Sequence, residues 1–547
     1  MREFIKQYDW LIVVLWAAVL FFPFLGAVHL FDWDEINFAE SAREMLVSGN
    51  YQQVQINFVP FMEKPPLFFW LQALSMKLFG VNEYAARFPN ALTGLVTLLL
   101  VFQLGKRYFG RTLAFFWVLM ITGSLTPHLY FKSGIIDPLY NLFIFLSVYQ
   151  FFLFTQQETN QTKHAWLMGM FLGLAIITKG PVAVIILVLV FLSYWAIRRF
   201  KLFFHVKHIA WVMLSALAVS AIWFGYETLR NGPTFLIEFV KYQADLFLNP
   251  VAGHGQPFYY HPLVLLIGAF PASLFALKTL FKRQGDETPA MAWVSMMQLL
   301  FWVVLILFSS VTTKIVHYSS LCYLPLTFLA AYALNNWFVK GEKPAIWQQI
   351  LLVCIGLILA LVLSIIPMVD ALKIKFIPHI DDLFARGNLM VKANWRGYES
   401  FPPLFLGVVV VITAWQIRKG KVLNGVFMLL LFMSFFLPVL LRITVPNIEV
   451  YTQRSAIEFY EKHSEEDAYI QTIGFKSYAQ YFYGKVKPHN SKASDESWLL
   501  SGAIDKPAYL VLKVDNLKDH VNPEMKELYR KGGFVFFRRD PVLPKAN

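Results

Sequence analysis

Charge is what this chain has little of. Acidic and basic side chains make up 15% of its 547 residues, against 57% hydrophobic. A soluble globular domain carries about a quarter charged residues, so an ordinary soluble fold is excluded and an α-helical polytopic membrane protein is indicated. Cysteine is nearly absent. Cys322 and Cys354 both lie in apolar runs, which argues against a disulfide framework or a thiolate metal site. No P-loop, HExxH, CxxC or GxSxG pattern occurs, so nucleotide-triphosphate, zinc-protease, dithiol and serine-hydrolase chemistry have no carrier. The net charge of +13 is spread in short basic clusters between apolar runs. That is the positive-inside pattern of membrane loops rather than a nucleic-acid patch.

What the chain does have is apolar runs long enough to cross a hydrocarbon core. They predict about thirteen spans, near 10–28, 88–104, 112–127, 135–154, 165–178, 182–197, 209–226, 262–280, 292–309, 318–337, 347–368, 402–417 and 423–441. The run from Trp10 to Val28 is long for a signal sequence and lacks a small-x-small site after it, so it reads as a retained first span. Alternate loops carry the cations: Arg2 and Lys6, Lys106 to Arg111, Lys163, Arg198 to Lys207, Lys278 to Arg283, Lys340 and Lys343, and Arg418 to Lys421. Assigning these to the cytoplasm turns loop 29–87, the Lys179-Gly180-Pro181 turn, loop 227–261, loop 310–317 and the tail outward.

Two regions divide the chain: a membrane unit, 1–445, that includes loop 29–87, and a small α/β unit, 446–547. In loop 29–87, Asp34 is placed to cap a helix running to about Val47, ended by Ser48-Gly49-Asn50. Its apolar residues recur at helical spacing, as in an amphipathic helix lying in the interface. Pro65-Pro66 starts a second helix, Leu67 to Leu78, rich in Phe and Trp. The tail alternates strand-like runs at 468–473, 508–513 and 533–537 with helical stretches at 454–462 and 477–483.

The outward loops hold single charges at the mouths of spans. Asp34 and Asp137 are candidate general bases, since partial burial raises a carboxylate toward the working range. Lys64, Lys179 and Lys314 are candidate phosphate-binding cations, and Lys64 stands just before a helix N-terminus, which itself attracts anions. Trp33, Tyr130, Tyr242, Tyr259, Tyr260 and Tyr318 can stack on sugar rings. The bland alternatives are helix caps for the two aspartates and snorkelling for the lysines. Glu40, Arg43 and Arg87 read as structural ion pairs. Together these features suggest group transfer from a lipid-phosphate donor at the outer face.

Several stretches resemble the GT-C membrane glycosyltransferases, nearest the lipid A aminoarabinose transferases, with protein O-mannosyltransferases as wider relatives. They are Asp34-Glu35 through Phe38-Ala39-Glu40 to Arg43-Glu44-Met45, Glu63-Lys64-Pro65-Pro66-Leu67, Asn82 to Pro89, Ile177 to Pro181, and Lys314-Ile315 with Tyr318. The resemblance spans residues 9 to about 340 and implies a GT-C fold. It implies a polyprenyl-phosphate sugar donor, a lipid or protein acceptor, an inner-membrane location among membrane lipids and transfer by inversion, with no nucleic acid involved. It implies catalytic roles for Asp34 and Asp137, donor-phosphate contacts for Lys64 and Lys179, and a place near the donor for Tyr318; Lys314 remains a candidate phosphate-binding cation from its own position, and Glu63, Tyr318, His254 and Tyr260 are candidate substrate-binding residues. It implies no dissociable cofactor, and no ligand spacing supports a divalent cation. One segment departs from the pattern. Aminoarabinose transferases usually carry Glu-His-x-x-Arg-Phe where this chain has Tyr242-Gln243-Ala244-Asp245-Leu246-Phe247, which leaves the sugar and the acceptor open. A transporter is the rival of another class, but transporters place polar residues at mid-span, and here the charges gather on one face.

Overall fold

The computed structural model describes residues 8–156, 159–248, 255–282, 285, 287–488 and 491–542. Apolar chain inside a membrane must satisfy its backbone internally, and here it does so as helices. Among the described residues seven helices are long and apolar enough to cross a membrane: Glu83–Phe109, Asp137–Gln156, Val206–Asn231, Pro289–Ser310, Ile346–His379, Tyr398–Arg418 and Val422–Glu449. Five shorter apolar helices of 10–17 residues accompany them.

Helix occurs in every expected span, but not as thirteen unbroken rods. The first apolar run is helical from Asp9 to Phe21 and stops before Pro23, which cannot donate to the ladder. The 112–127 segment ends at Thr122 and restarts as Leu125–Tyr130. The 262–280 segment breaks between Gly268 and Ala272, where Pro271 interrupts it. Between Gln161–Thr178 and Val206–Asn231, Gly169 and Gly173 face the neighbouring backbone: a Cβ at Gly169 would collide with the Val212 carbonyl and the Ser215 hydroxyl. Small residues four apart allow this close approach, as membrane helix pairs require. At the end assigned to the cytoplasm, buried Asp9 receives Lys106 at 2.8 Å and Arg111 at 3.0 Å.

One end of the helical unit is built on the first loop. The helix Asp34–Ser48 begins at Asp34 itself and ends at Gly49, whose φ of 70° is the left-handed conformation favoured by glycine. It has no free face, because Glu35 through Met45 are all buried. Its charged residues Glu40, Arg43 and Glu44 are buried and mostly paired. Arg43 pairs with Glu40 at 2.7 Å and donates to the Val486 carbonyl at 2.7 Å, and Glu44 accepts the Asn57 and Phe58 amides at 2.5 and 2.8 Å. The Leu67–Phe79 helix follows Pro66 as expected and ends at Gly80.

Two short strands of the first loop, β1 Gln55–Ile56 and β2 Val59–Pro60, pair antiparallel, and the tail forms a four-stranded sheet in the order β3-β4-β6-β5, with β3 Tyr469–Ile473, β4 Ala508–Lys513, β5 Lys526–Lys531 and β6 Phe534–Arg539. β3 runs parallel to β4, with Tyr469 opposite Ala508, and the other pairings are antiparallel. Alternation splits the sheet between two cores. Tyr509, Val511 and Phe536 join Ile36, Phe38, Phe68 and Phe69 of the first loop, whereas Leu510, Leu512, Val535 and Phe537 pack with Leu499 and Ile504. The sheet is thereby docked on the helix that carries Asp34. Strand β5 was not expected from the sequence. It is an exposed edge of charged residues, which lacks the apolar alternation that signals a strand but suits an edge that must resist further pairing.

Candidate active site

Where the first loop, the membrane helices and the tail meet, they enclose a cavity of about 660 Å³. Its rim and walls include Trp33, Asp34, Glu63, Lys64, Asp137, Lys179, Tyr242, His317, Tyr318, Lys476 and Tyr478. Each charged group arrives at an element end. Asp34 and Asp137 are the first residues of their helices, where exposed amides favour negative charge. Lys179 follows the end of Gln161–Thr178, and Lys64 precedes Leu67–Phe79 by three positions.

The two aspartates differ in setting. The Asp137 side chain is 4% exposed, and Lys179 donates to its Oδ1. Its Oδ2 is buried without a hydrogen-bond partner and lies 4.0 Å from His317 Nε2. Asp34 is 42% exposed, with its Oδ2 3.5 Å from the same His317 nitrogen. Asp137 is therefore committed to a cation, while Asp34 is open to an incoming group. The Lys179 ammonium lies 5.4 Å from the centre of the Tyr318 ring. Lys64 lies 5.0 Å over the Tyr242 ring, and the Tyr242 hydroxyl is hydrogen-bonded to Glu63. Burial pushes the Lys64 ammonium below its ordinary value against the pull of Glu63, and Lys179 pushes it further down, while Asp34 and Asp137 oppose that. Lys64 and Lys179 thus bring two cations to one cavity, which suits a phosphate that could accept from both.

Of the residues singled out from the sequence, the fold gathers Asp34, Asp137, Lys64, Lys179, Glu63 and Tyr318 around this cavity. Lys314 and Tyr260 are not among its lining residues. Lys314 is buried, donates to the Val311 carbonyl at 2.6 Å, and lines a separate open recess with Gly255, Gln256 and Phe258. Tyr260 begins the helix Tyr260–Gly268, its ring 5.2 Å from that of His261. His254 lies outside the described residues.

The tail contributes more than its sequence suggested. Lys476 and Tyr478 reach the cavity, and Asp32 clamps this turn by accepting from the Ser477 hydroxyl and, at 3.2 Å, from the Tyr478 amide. Ser477 and Asp32 are 445 positions apart, so no local pattern could have joined them. The Lys476 ammonium lies 5.5 Å from the Trp33 ring and 5.4 Å from that of Tyr478. Behind Asp34, buried Arg87 binds Glu35 through two nitrogens, at 3.0 and 2.8 Å, and also donates to the carbonyls of Leu25, Val28 and His29. The ion pairs expected of Glu40, Arg43 and Arg87 are thus present, with Glu35 as the partner of Arg87.

Over nearly its whole length the chain superposes on the ArnT crystal structure from Cupriavidus metallidurans bound to undecaprenyl phosphate. The match has a TM-score of 0.75 at 20% identity and covers 96% of this chain and 97% of that one. The molecule has the GT-C transferase fold. Residues 63–224 match the family described as dolichyl-phosphate-mannose-protein mannosyltransferase. Among curated relatives, an undecaprenyl phosphate-alpha-4-amino-4-deoxy-L-arabinose arabinosyl transferase of Shewanella sediminis is 26% identical over 80% of this chain and 77% of its own length. A Proteus mirabilis protein of the same description is 27% identical over 60% of each chain. The GT-C fold covers the membrane unit and the tail sheet alike, so the tail belongs to the shared architecture.

Proposed function

We propose that the protein is a membrane glycosyltransferase that moves a sugar from a polyprenyl-phosphate donor to an envelope lipid, at the outer face of the inner membrane and with inversion. The observation that carries this reading is the assembly of an accessible carboxylate, Asp34, with two cations, Lys64 and Lys179, in one cavity at the head of apolar helices. The relatives described as using undecaprenyl phosphate-linked aminoarabinose support a donor of that class. In this reading Asp34 takes the proton of the acceptor as its oxygen attacks the anomeric carbon. Lys64 and Lys179 neutralise the charge that gathers on the departing phosphate, a stabilisation that grows toward the transition state. Asp137 holds Lys179 in place, Tyr242 supports Lys64 and Glu63, and Tyr318 borders the sugar. Lys314, outside the cavity lining, ties its own loop through Val311. The basic clusters, read as cytoplasmic, support an outward-facing cavity and 446–547 unit.

Transfer from purified polyprenyl-phosphate donors to a panel of lipid and peptide acceptors tests the proposal, with Asp34→Asn and Lys64→Ala beside the wild type. Loss of transfer in both variants, with the protein still folded, is the expected result. Wild-type turnover in both would refute the site. Transfer to peptide serine or threonine would replace the lipid acceptor, and solute flux across vesicles without donor consumption would replace the enzyme class.

A further inference from the structure

His317 stands between the two aspartates and is used by neither the donor-binding set nor the scaffold. Its Nε2 is 3.5 Å from Asp34 Oδ2 and 4.0 Å from Asp137 Oδ2. Asp137 has its other oxygen committed to Lys179, and its Oδ2 is buried with no hydrogen-bond partner. The imidazole is therefore the one group among the described residues placed within salt-bridge distance of both carboxylates. Its ring is held from the side by Tyr318, at 5.3 Å between centres, and its backbone carbonyl accepts from Ser320. Resting on the transferase reading, we propose that His317 is the positioning and proton-relay partner of Asp34. It receives from Asp34 the proton taken from the acceptor and returns Asp34 to the carboxylate needed for the next turnover.

The step balances. The acceptor O–H bond breaks as its oxygen bonds to the anomeric carbon, and its proton goes to Asp34. The anomeric carbon–oxygen bond to the donor phosphate breaks, and its electron pair leaves with the polyprenyl phosphate. The proton on Asp34 then passes to His317 Nε2, giving imidazolium between two carboxylates, and is lost to the outgoing phosphate or to water. Asp137 stabilises that transient cation, which gives its unpartnered oxygen a purpose.

The relay requires a neutral imidazole at rest. The charged groups facing His317 divide: burial is the largest influence and favours the neutral ring, Asp137 and Asp34 favour the cation, and Lys179 and Lys64 oppose it. His261, itself influenced by Lys314, and the Tyr318 phenol are further titratable neighbours. The balance lies below the ordinary histidine value, on the side of the neutral ring. The turnover rate should then fall toward acid pH, because imidazolium cannot accept the proton.

The test is the pH profile of kcat for lipid acceptor transfer, with wild type, His317→Gln and His317→Ala in detergent or vesicles. Loss of a proton-transfer partner costs about 10²–10⁴-fold in rate. We expect kcat of His317→Gln to fall at least about tenfold with little change in donor KM, because the group acts on proton transfer and not on phosphate binding. Its acidic limb should move to lower pH, and imidazole should restore His317→Ala only where the added imidazole is neutral. Wild-type kcat with an unchanged acidic limb in His317→Gln would overturn the relay while leaving the transferase intact. A rise in donor KM alone, without imidazole rescue, would also overturn it in favour of a packing role. If the wild type consumes no donor at all, the transferase reading fails and the relay with it, an outcome separable from the others by the wild-type control.

Discussion

Removing Arg87 should be the most damaging single change behind the site, and its cost can be worked from the contacts. Arg87 is 5% exposed and serves five acceptors: both oxygens of Glu35 and the carbonyls of Leu25, Val28 and His29. Arg87→Met keeps the stem but strands the Glu35 carboxylate, left with only the amides of Phe31 and Gly134. Breaking a buried ion pair from one side costs about 3–5 kcal/mol, and stranded carbonyls add to it at about 1–3 kcal/mol each. Partial relaxation and water entry offset part of that sum, so a fall of about 4 kcal/mol is the working figure. In apparent melting temperature this is roughly 5–10 °C for a large domain. Glu35→Gln/Arg87→Met should melt above Arg87→Met, since no charge is left stranded. A pH series adds a second reading. Burial alone would raise the Glu35 carboxyl, but the Arg87 charge and hydrogen bonds, with the two amides, hold it below its ordinary value of 4.5. A depressed carboxyl contributes stability above 4.5 and loses it as the pH falls through the folded-state value. The wild type should therefore lose stability at acid pH through Glu35, and the double variant should lack that component. Thermal unfolding in detergent reads both. An Arg87→Met protein melting within about 2 °C of wild type would refute the reasoning.

Three further outcomes follow from other parts of the molecule. Gly169→Ala inserts a methyl against the Val212 carbonyl and should destabilise by about 1–3 kcal/mol, whereas Gly110→Ala, with open space around its Cβ but a φ of 85°, should act only through backbone strain of about 1 kcal/mol; comparison of melting temperatures in detergent decides. Under the proposed function Lys179→Met removes a donor-phosphate contact, and it strands buried Asp137, so transfer should drop at least about 100-fold with weaker binding of polyprenyl phosphate, and a variant with unchanged binding by fluorescence or calorimetry would count against the donor assignment. Lys476→Ala should raise the acceptor KM several-fold while leaving donor KM within about two-fold, because Lys476 faces the cavity from the tail, on the side of Trp33 rather than Lys64.

The sequence was most legible where the cause is local. The helix after Asp34 ends at Gly49 because a left-handed turn there suits glycine, and Leu67–Phe79 starts behind Pro66 because proline accepts the first turn. The buried strands β3, β4 and β6 announced themselves by β-branched and aromatic runs, while charged β5 did not. The first-loop motifs marked Asp34, Glu63 and Lys64, those at 177–181 and 314–318 marked Lys179 and Tyr318, and its position at the mouth of a span marked Asp137. Lys314 shows the limit: it shares a motif with Tyr318 but points at its own loop carbonyl, because a side chain's direction depends on what packs around it.

Hydropathy and charge order by themselves determined that this is a membrane protein with a charged first loop and a small α/β tail, since both are summed over neighbouring residues. Only the tertiary structure decided that Asp32 is clamped to the Ser477 turn, that Lys476 and Tyr478 join the cavity, and that His317 bridges Asp34 and Asp137. These pairings cross hundreds of positions, and distance along the chain carries no information about which element ends meet once the helices are packed.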